Sequence, residues 1–231
     1  MTQVEFARAR RPEQKRQRRA AILDAARTLG TASGVRNVTL AGVAEAVGLA
    51  KSNVVRYFGT REEIFLELTG EAWGEWEQAL TRRLAAARTG SAGDDVVAAI
   101  AESLAERPFL CDLIGQTSTT LEHNISLEAA RAFKREVHAV IARLGARTAA
   151  AHPVLTESEG AELIMAAAGL VGVLYPIVTP PPVMRELYAQ EPALAAACPE
   201  FLPTLRRTLA ALAAGLPALR AGSGSGSVPG V

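Results

Sequence analysis

Within the stretch from Lys51 to Arg61 the chain gathers side chains suited to reading and holding a polyanion. Ser52, Asn53 and Arg56 are of the types that read base edges, since an Asn amide pairs bidentately with adenine and an Arg guanidinium with guanine. Lys51 and Arg61 can neutralise phosphate, and the hydroxyls of Thr39 and Tyr57 can donate to it. A plainer reading of the same residues places Tyr57 in the core of a small head and leaves Arg56 merely solvated. Nothing else in the chain offers comparable chemistry. There is no Gly-rich phosphate loop, nucleophile elbow, His-Glu zinc motif or paired carboxylate at a suggestive spacing, so no catalytic residue can be named and an enzyme is not expected. His123, His138 and His152 have no ligand spacing between them, and neither a metal nor a cofactor is expected.

Stepping outward, Thr39 to Phe58, TLAGVAEAVGLAKSNVVRYF, predicts a helix, a tight turn and a second short helix, as DNA reading by a helix-turn-helix requires. Thr39 can cap the first helix, and Leu40, Val43, Ala44 and Val47 recur at helical spacing. Gly48 can leave that helix through a positive φ, and Leu49 can fill the angle behind it. Val54 and Phe58 anchor the second helix inward. This stretch resembles the DNA-binding motif of the tetracycline-repressor (TetR) family of bacterial regulators. The likeness extends to the preceding RRAAILDAARTLGTASGVRNVT and the following YFGTREEIF, covering about the first third of the chain. Asn53 and Val55 depart from residues frequent there, so base preference is this chain's own.

Composition agrees. Of 231 residues 49% are hydrophobic and only 5% aromatic, which favours helix over sheet and predicts an all-α fold. The net charge of +1 conceals a division: residues 1–61 hold twelve basic and four acidic side chains, a net of +8, leaving −7 for the rest. Local positive charge is what phosphate attraction needs. Arg outnumbers Lys along the whole chain, a bias ascribed to a GC-rich genome. Cys111 and Cys198 lie in no metal or redox spacing, and free buried thiols in a reducing cytoplasm are expected, with a disulfide between them the alternative. The basic N-terminus lacks the apolar core of a secretory signal. The uncharged run Leu163–Met184 has too short an apolar part to span a bilayer.

Four regions are expected: a flexible basic arm over 1–12, a DNA-binding head over 13–61, a helical body over 62–220 and a flexible tail over 221–231. A helix from about Glu13 to Ala32, with Ile22, Ala26 and Leu29 inward and Arg18 and Arg19 exposed, closes at Gly34. Thr60 and Glu63 form a capping box for a long helix to about Arg88, striped by Phe65, Leu68, Ala72, Trp76, Leu80 and Leu84. RTGSAGDD is a break. Helices follow over about 94–107, 109–116 and 126–151, with TSTTLEHN a polar connection. Thr156 and Glu159 make a second capping box for the most apolar helix, about Glu157–Val178, which implies a partner chain. A proline-rich connection with little helix then precedes a last helix, about Glu200–Leu219. Leu163, Leu170 and Leu174 of the apolar helix, with Leu202, Leu205, Leu209, Leu212 and Leu216 of the last, form the expected dimer interface.

The resemblance implies more. A cavity between the middle helices would admit a small, mostly apolar ligand and be lined by Trp76, Phe109, Leu113, Gln116, Phe133, Val137, Met165 and Tyr175. Those side chains also fit a plain core. It implies a homodimer on a palindromic double-stranded operator, released when a small-molecule effector shifts the fourth helix. No stretch reads as a polymerase-contacting surface, so repression is expected over activation. The competing account is a helical ligand-binding or adaptor protein without specific DNA recognition, against which the basic residues of Thr39–Arg61 argue.

Overall fold

The computed structural model describes residues 3–86 and 93–223. Met1, Thr2, residues 87–92 of the expected break and the tail beyond Ser223 lie outside the described residues. Those described contain helices and turns and no strand. They fall into two compact units, residues 1–69 with 116–133, and 70–115 with 134–231. The first unit extends past Arg61, where the head was expected to end, as far as Thr69, and includes a segment from the middle of the chain.

The first unit is built from α1 (Gln3–Ser33), a 3-10 turn (Val35–Asn37), α2 (Leu40–Ala46), α3 (Lys51–Val55) and the first part of α4 (Arg61–Ala86). It also holds a π-helical turn (Thr117–Leu121) where the sequence suggested only a polar connection. α1 begins at Gln3, not near Glu13, and passes through Pro12. Glu5, Ala7, Arg8, Ala9 and Arg10 are strong helix formers, so the one bond forfeited at proline does not end the helix. This replaces the separate arm expected over 1–12. Ile22 and Ala26 are buried as expected; Leu29 is only half-buried, and Leu23 takes a core place instead. Gly34, at φ 85°, makes the exit from α1 that a side chain would resist.

The second unit contains the remainder of α4, α5 (Asp94–Ala105), α6 (Pro108–Gln116), most of α7 (Leu127–Ala151), α8 (Glu157–Val178), α9 (Pro182–Gln190), α10 (Pro192–Ala196) and α11 (Phe201–Ser223). α5 ends before Pro108, which opens α6, where its missing N–H costs nothing. The proline-rich connection is more helical than expected for the same reason, with Pro182 and Pro192 occupying the first position of α9 and α10. The α4 stripe is fully buried, from Phe65 through Leu84. Each such side chain stabilises the fold by about 1.5–3 kcal/mol. Trp76 meets Trp73 edge-on with ring centroids 5.2 Å apart, and its indole N–H donates to Ser103 Oγ at 2.9 Å.

Thr156 and Glu159 form the expected reciprocal cap of α8, with bonds of 3.2 and 2.8 Å. α7 and α8 cross at two glycines. A Cβ on Gly160 would lie 2.3 Å from the Gly145 carbonyl oxygen, and one on Gly145 would lie 2.6 Å from the Ala161 nitrogen. α11 packs on α5 and α8, with Arg206 paired to Glu102 at 3.5 Å and Arg220 to Glu159 at 2.8 Å.

That packing places the expected interface leucines unequally. Leu163 and Leu174 of α8, and Leu205 and Leu209 of α11, are buried inside the subunit against these neighbours. Leu170, Leu202 and Leu216 are half-buried, and only Leu212 is exposed. α8 is long and apolar enough to cross a membrane by length and composition, and it is not apolar because it is surrounded. One face is buried, while Met165, Gly169, Val173 and Ile177, four residues apart, form an exposed line along the other.

Candidate nucleic-acid interface

The recognition corner starts from Thr39, whose Oγ accepts the Gly42 amide at 3.0 Å and satisfies one of the orphan donors at the head of α2. Because the oxygen accepts, the hydroxyl proton of this exposed residue is left to donate outward, as contact with a phosphate oxygen needs. Gly48 turns at φ 64°, and the Leu49 amide closes the turn on the Ala44 carbonyl at 2.9 Å. Val43, Ala44, Val54 and Phe58 are buried, so α3 is held to α2 through one side only.

The other side of α3 carries Lys51, Ser52 and Asn53, with Arg56 at its C-cap, all exposed. Four expected contact residues are thus exposed along α3 and its C-cap, as Thr39 is at the head of α2. Tyr57 is half-buried, between the donor and the core readings. Val55 is exposed at 42%, an apolar group of the kind that meets a thymine methyl.

Arg61 is a correction. Its Nε donates to the Val38 carbonyl at 2.5 Å, Nη2 donates to the Val35 carbonyl, and its guanidinium lies 4.8 Å from the Phe65 ring centroid. With 15% of the side chain exposed, it ties the start of α4 to the backbone before α2 instead of reaching for phosphate. Arg19, expected to be exposed, has a similar task. It forms a two-pronged ion pair with Glu67 and lies 4.4 Å over the Phe58 ring, which holds α1 against α4 and covers the anchor of α3. Sequence spacing missed both, because their partners are carbonyls or side chains 23 to 48 residues away.

The capping box at α4 is also altered. The Glu63 amide donates to Thr60 Oγ at 3.1 Å as expected, but the Glu63 carboxylate accepts the Gly59 amide at 3.0 Å. Its other oxygen accepts the Ser126 amide at 2.9 Å. Burial pushes this carboxyl upward, yet bonds from the Ser126 amide and hydroxyl and the Gly59 amide outweigh it and hold the group below the ordinary carboxylate range.

The expected ligand-lining residues divide. Trp76 and Leu113 are fully buried, and the indole N–H is already bonded, so Trp76 is core. Met165 is 54% exposed on the open line of α8 and lines no interior. Phe133 and Val137 are buried; Phe109, Gln116 and Tyr175 are half-buried. Burial, with Cys111 and Asp112 nearby, raises the Tyr175 hydroxyl to about 12, and its ring meets Phe201 edge-on at 5.9 Å. Cys111 is buried, donates to the Leu104 carbonyl at 3.2 Å and is raised to about 12 by burial; Cys198 is half-buried, not buried as expected. Among the described residues no group of three His, Cys, Asp or Glu is placed to hold a metal.

Comparison with known proteins divides the chain near residue 69 as well, but leaves 116–133 with the C-terminal part. Residues 22–68 match the family model described as bacterial regulatory proteins, tetR family, and residues 70–220 match tetracyclin repressor-like, C-terminal domain. No curated protein matches in sequence. Among solved structures, FadR of Thermus thermophilus, a TetR-family transcriptional repressor in complex with lauroyl-CoA, aligns with a TM-score of 0.54 at 18% identity, over 84% of this chain and 92% of that one. A possible TetR-family regulator from Streptomyces coelicolor A3(2) aligns at 0.53 with 19% identity, over 87% and 99%. The multidrug binding protein EbrR complexed with imidazole aligns at 0.53 with 14% identity, over 84% and 94%. At these identities the three establish a shared fold.

Proposed function

Since the chain belongs to the tetracycline-repressor family of bacterial regulators, we propose that it represses transcription by binding a palindromic operator as a homodimer and leaves that operator when a small ligand occupies its body. The observation that carries this reading is the surface of α3, where Lys51, Ser52, Asn53 and Arg56 are exposed while Val54 and Phe58 fix the helix from behind. Asn53 and Arg56 read adenine and guanine edges in the major groove, and Lys51 and Thr39 hold phosphate. Two such helices related by a two-fold axis enter grooves roughly 34–36 Å apart.

In this proposal the pairing surface is the outward line of α8, Met165, Val173 and Ile177, together with Leu212 and Leu219 of α11, all exposed in the single subunit. The effector is small and mostly apolar, taken up beside half-buried Phe109 and Tyr175. DNA as partner makes this a regulator of the bacterial cytoplasm, not an enzyme. Selection from a random duplex library tests the reading. Enrichment of a palindrome supports it; no enrichment would favour a helical binding protein without specific DNA recognition.

A further inference from the structure

The segment 116–133, from the last residue of α6 through the start of α7, lies inside the span of the C-terminal family model, yet it packs in the compact unit that holds the DNA-reading head. Leu121 within it is fully buried. The polar link is made by the first turn of α4. Glu62 accepts from the Asn124 side-chain Nδ2 at 3.5 Å, with Asn124 in a left-handed turn at φ 56°. Glu63 divides its two carboxylate oxygens, one to the Gly59 amide at 3.0 Å and one to the Ser126 amide at 2.9 Å. Gly59 is the residue by which the chain leaves the recognition corner, directly after the buried anchor Phe58. Ser126 caps α7, its Oγ accepting the Ala129 amide at 3.2 Å.

A carboxylate has two oxygens on one rigid plane, and hydrogen bonds to it are roughly twice as strong as neutral ones. Each oxygen here is committed to a different segment. Displacing the Ser126 donor therefore re-aims the group that holds Gly59. An ordinary capping box spends its carboxylate on the cap of its own helix; this one joins the exit of the recognition helix to the turn before α7. We propose that Glu63 is a positioning residue for DNA reading, through which the turn at 117–126 governs how firmly α3 is held. The proposal relies on the reading above only for what α3 does once held.

The test is hydrogen exchange of the full-length protein without DNA, read by mass spectrometry over residues 50–60. Ser126→Pro deletes the donated N–H without touching α3 or α4. Ser126→Gly keeps that N–H and loses the hydroxyl, which also bonds Glu63. Exchange over 50–60 should rise about tenfold in Ser126→Pro and by less, about two- to threefold, in Ser126→Gly. Glu63→Gln should match Ser126→Pro, and the double variant should exceed neither. Acceleration confined to 116–130 in Ser126→Pro, with 50–60 unchanged, would overturn the proposal. If Glu63→Gln unfolds the head, the two Ser126 variants still decide. With no DNA in the experiment, its failure leaves the operator-binding reading intact, and a failed operator selection leaves this test standing.

Discussion

Arg61 and Val38 are 23 residues apart in the chain, yet the Arg61 Nε–H meets the Val38 carbonyl at 2.5 Å. A side chain that sequence would spend on phosphate is instead part of the frame of the head. Arg61→Gln should therefore lower stability by about 1.5–3 kcal/mol, the worth of charged hydrogen bonds lost. It should leave the salt slope of DNA affinity unchanged, whereas Lys51→Ala should reduce that slope by about one. Thermal melts and salt titrations of the two variants separate the roles; a shallower slope for Arg61→Gln would return it to the DNA surface.

The glycine crossing makes a sharp stability prediction. A methyl on Gly160 would sit 2.3 Å from the Gly145 carbonyl oxygen, and backbone cannot move aside as a flexible side chain can. Gly160→Ala should cost about 1–3 kcal/mol or more. Gly74→Ala, inside α4 with nothing within 4 Å, should be neutral or slightly stabilising. Urea denaturation of both variants checks the contrast, and equal effects would contradict it.

Burial also separates two kinds of leucine-rich surface. Val173, 64% exposed, belongs to the proposed pairing face, while Leu205 is fully buried in the subunit. Val173→Arg should yield folded monomers by light scattering. Leu205→Ala should instead lose about 2–5 kcal/mol of subunit stability through the cavity it opens. A Val173→Arg protein of dimer mass would remove this face from the interface.

The thiols should differ in reactivity. Cys111 is raised to about 12 and buried, so at pH 8 only about one part in ten thousand is thiolate. Cys198 is half-buried. Iodoacetamide on the native protein should label Cys198 alone, and both only after unfolding. Labelling of Cys111 in the native state would mean that α6 opens far more readily than its packing implies.

Much of this was legible in the sequence because it is local. The Thr39 cap, the Gly48 turn, the inward Val54 and Phe58, the α4 stripe and the Thr156–Glu159 box each depend on residues within one or two helical turns. What sequence misassigned depends on distant partners. Arg61 and Arg19 found carbonyls, a carboxylate and aromatic rings elsewhere in the head, and Glu63 found an amide 63 residues on. The leucine stripe of α11 has the spacing of a seam between chains, but periodicity states only that a face is buried, not by what. Here α5 and α8 of the same subunit pack on α11 and Leu205 and Leu209 are buried, while Leu212 stays exposed. Proline was read as a breaker where it opens helices, since its penalty vanishes in a first turn.

The central claim is that the exposed face of α3 reads base sequence. Fluorescence anisotropy at several salt concentrations, comparing the selected palindrome with a scrambled duplex, tests it most directly in the wild type, Asn53→Ala and Arg56→Ala. Each substitution should cost about 1–3 kcal/mol on the palindrome and relax preference at one base position of each half-site. Affinity for the scrambled duplex should change little for Asn53→Ala, and the melting temperature should hold in both variants. Undiminished discrimination in both variants would contradict the claim and move the reading of sequence away from α3.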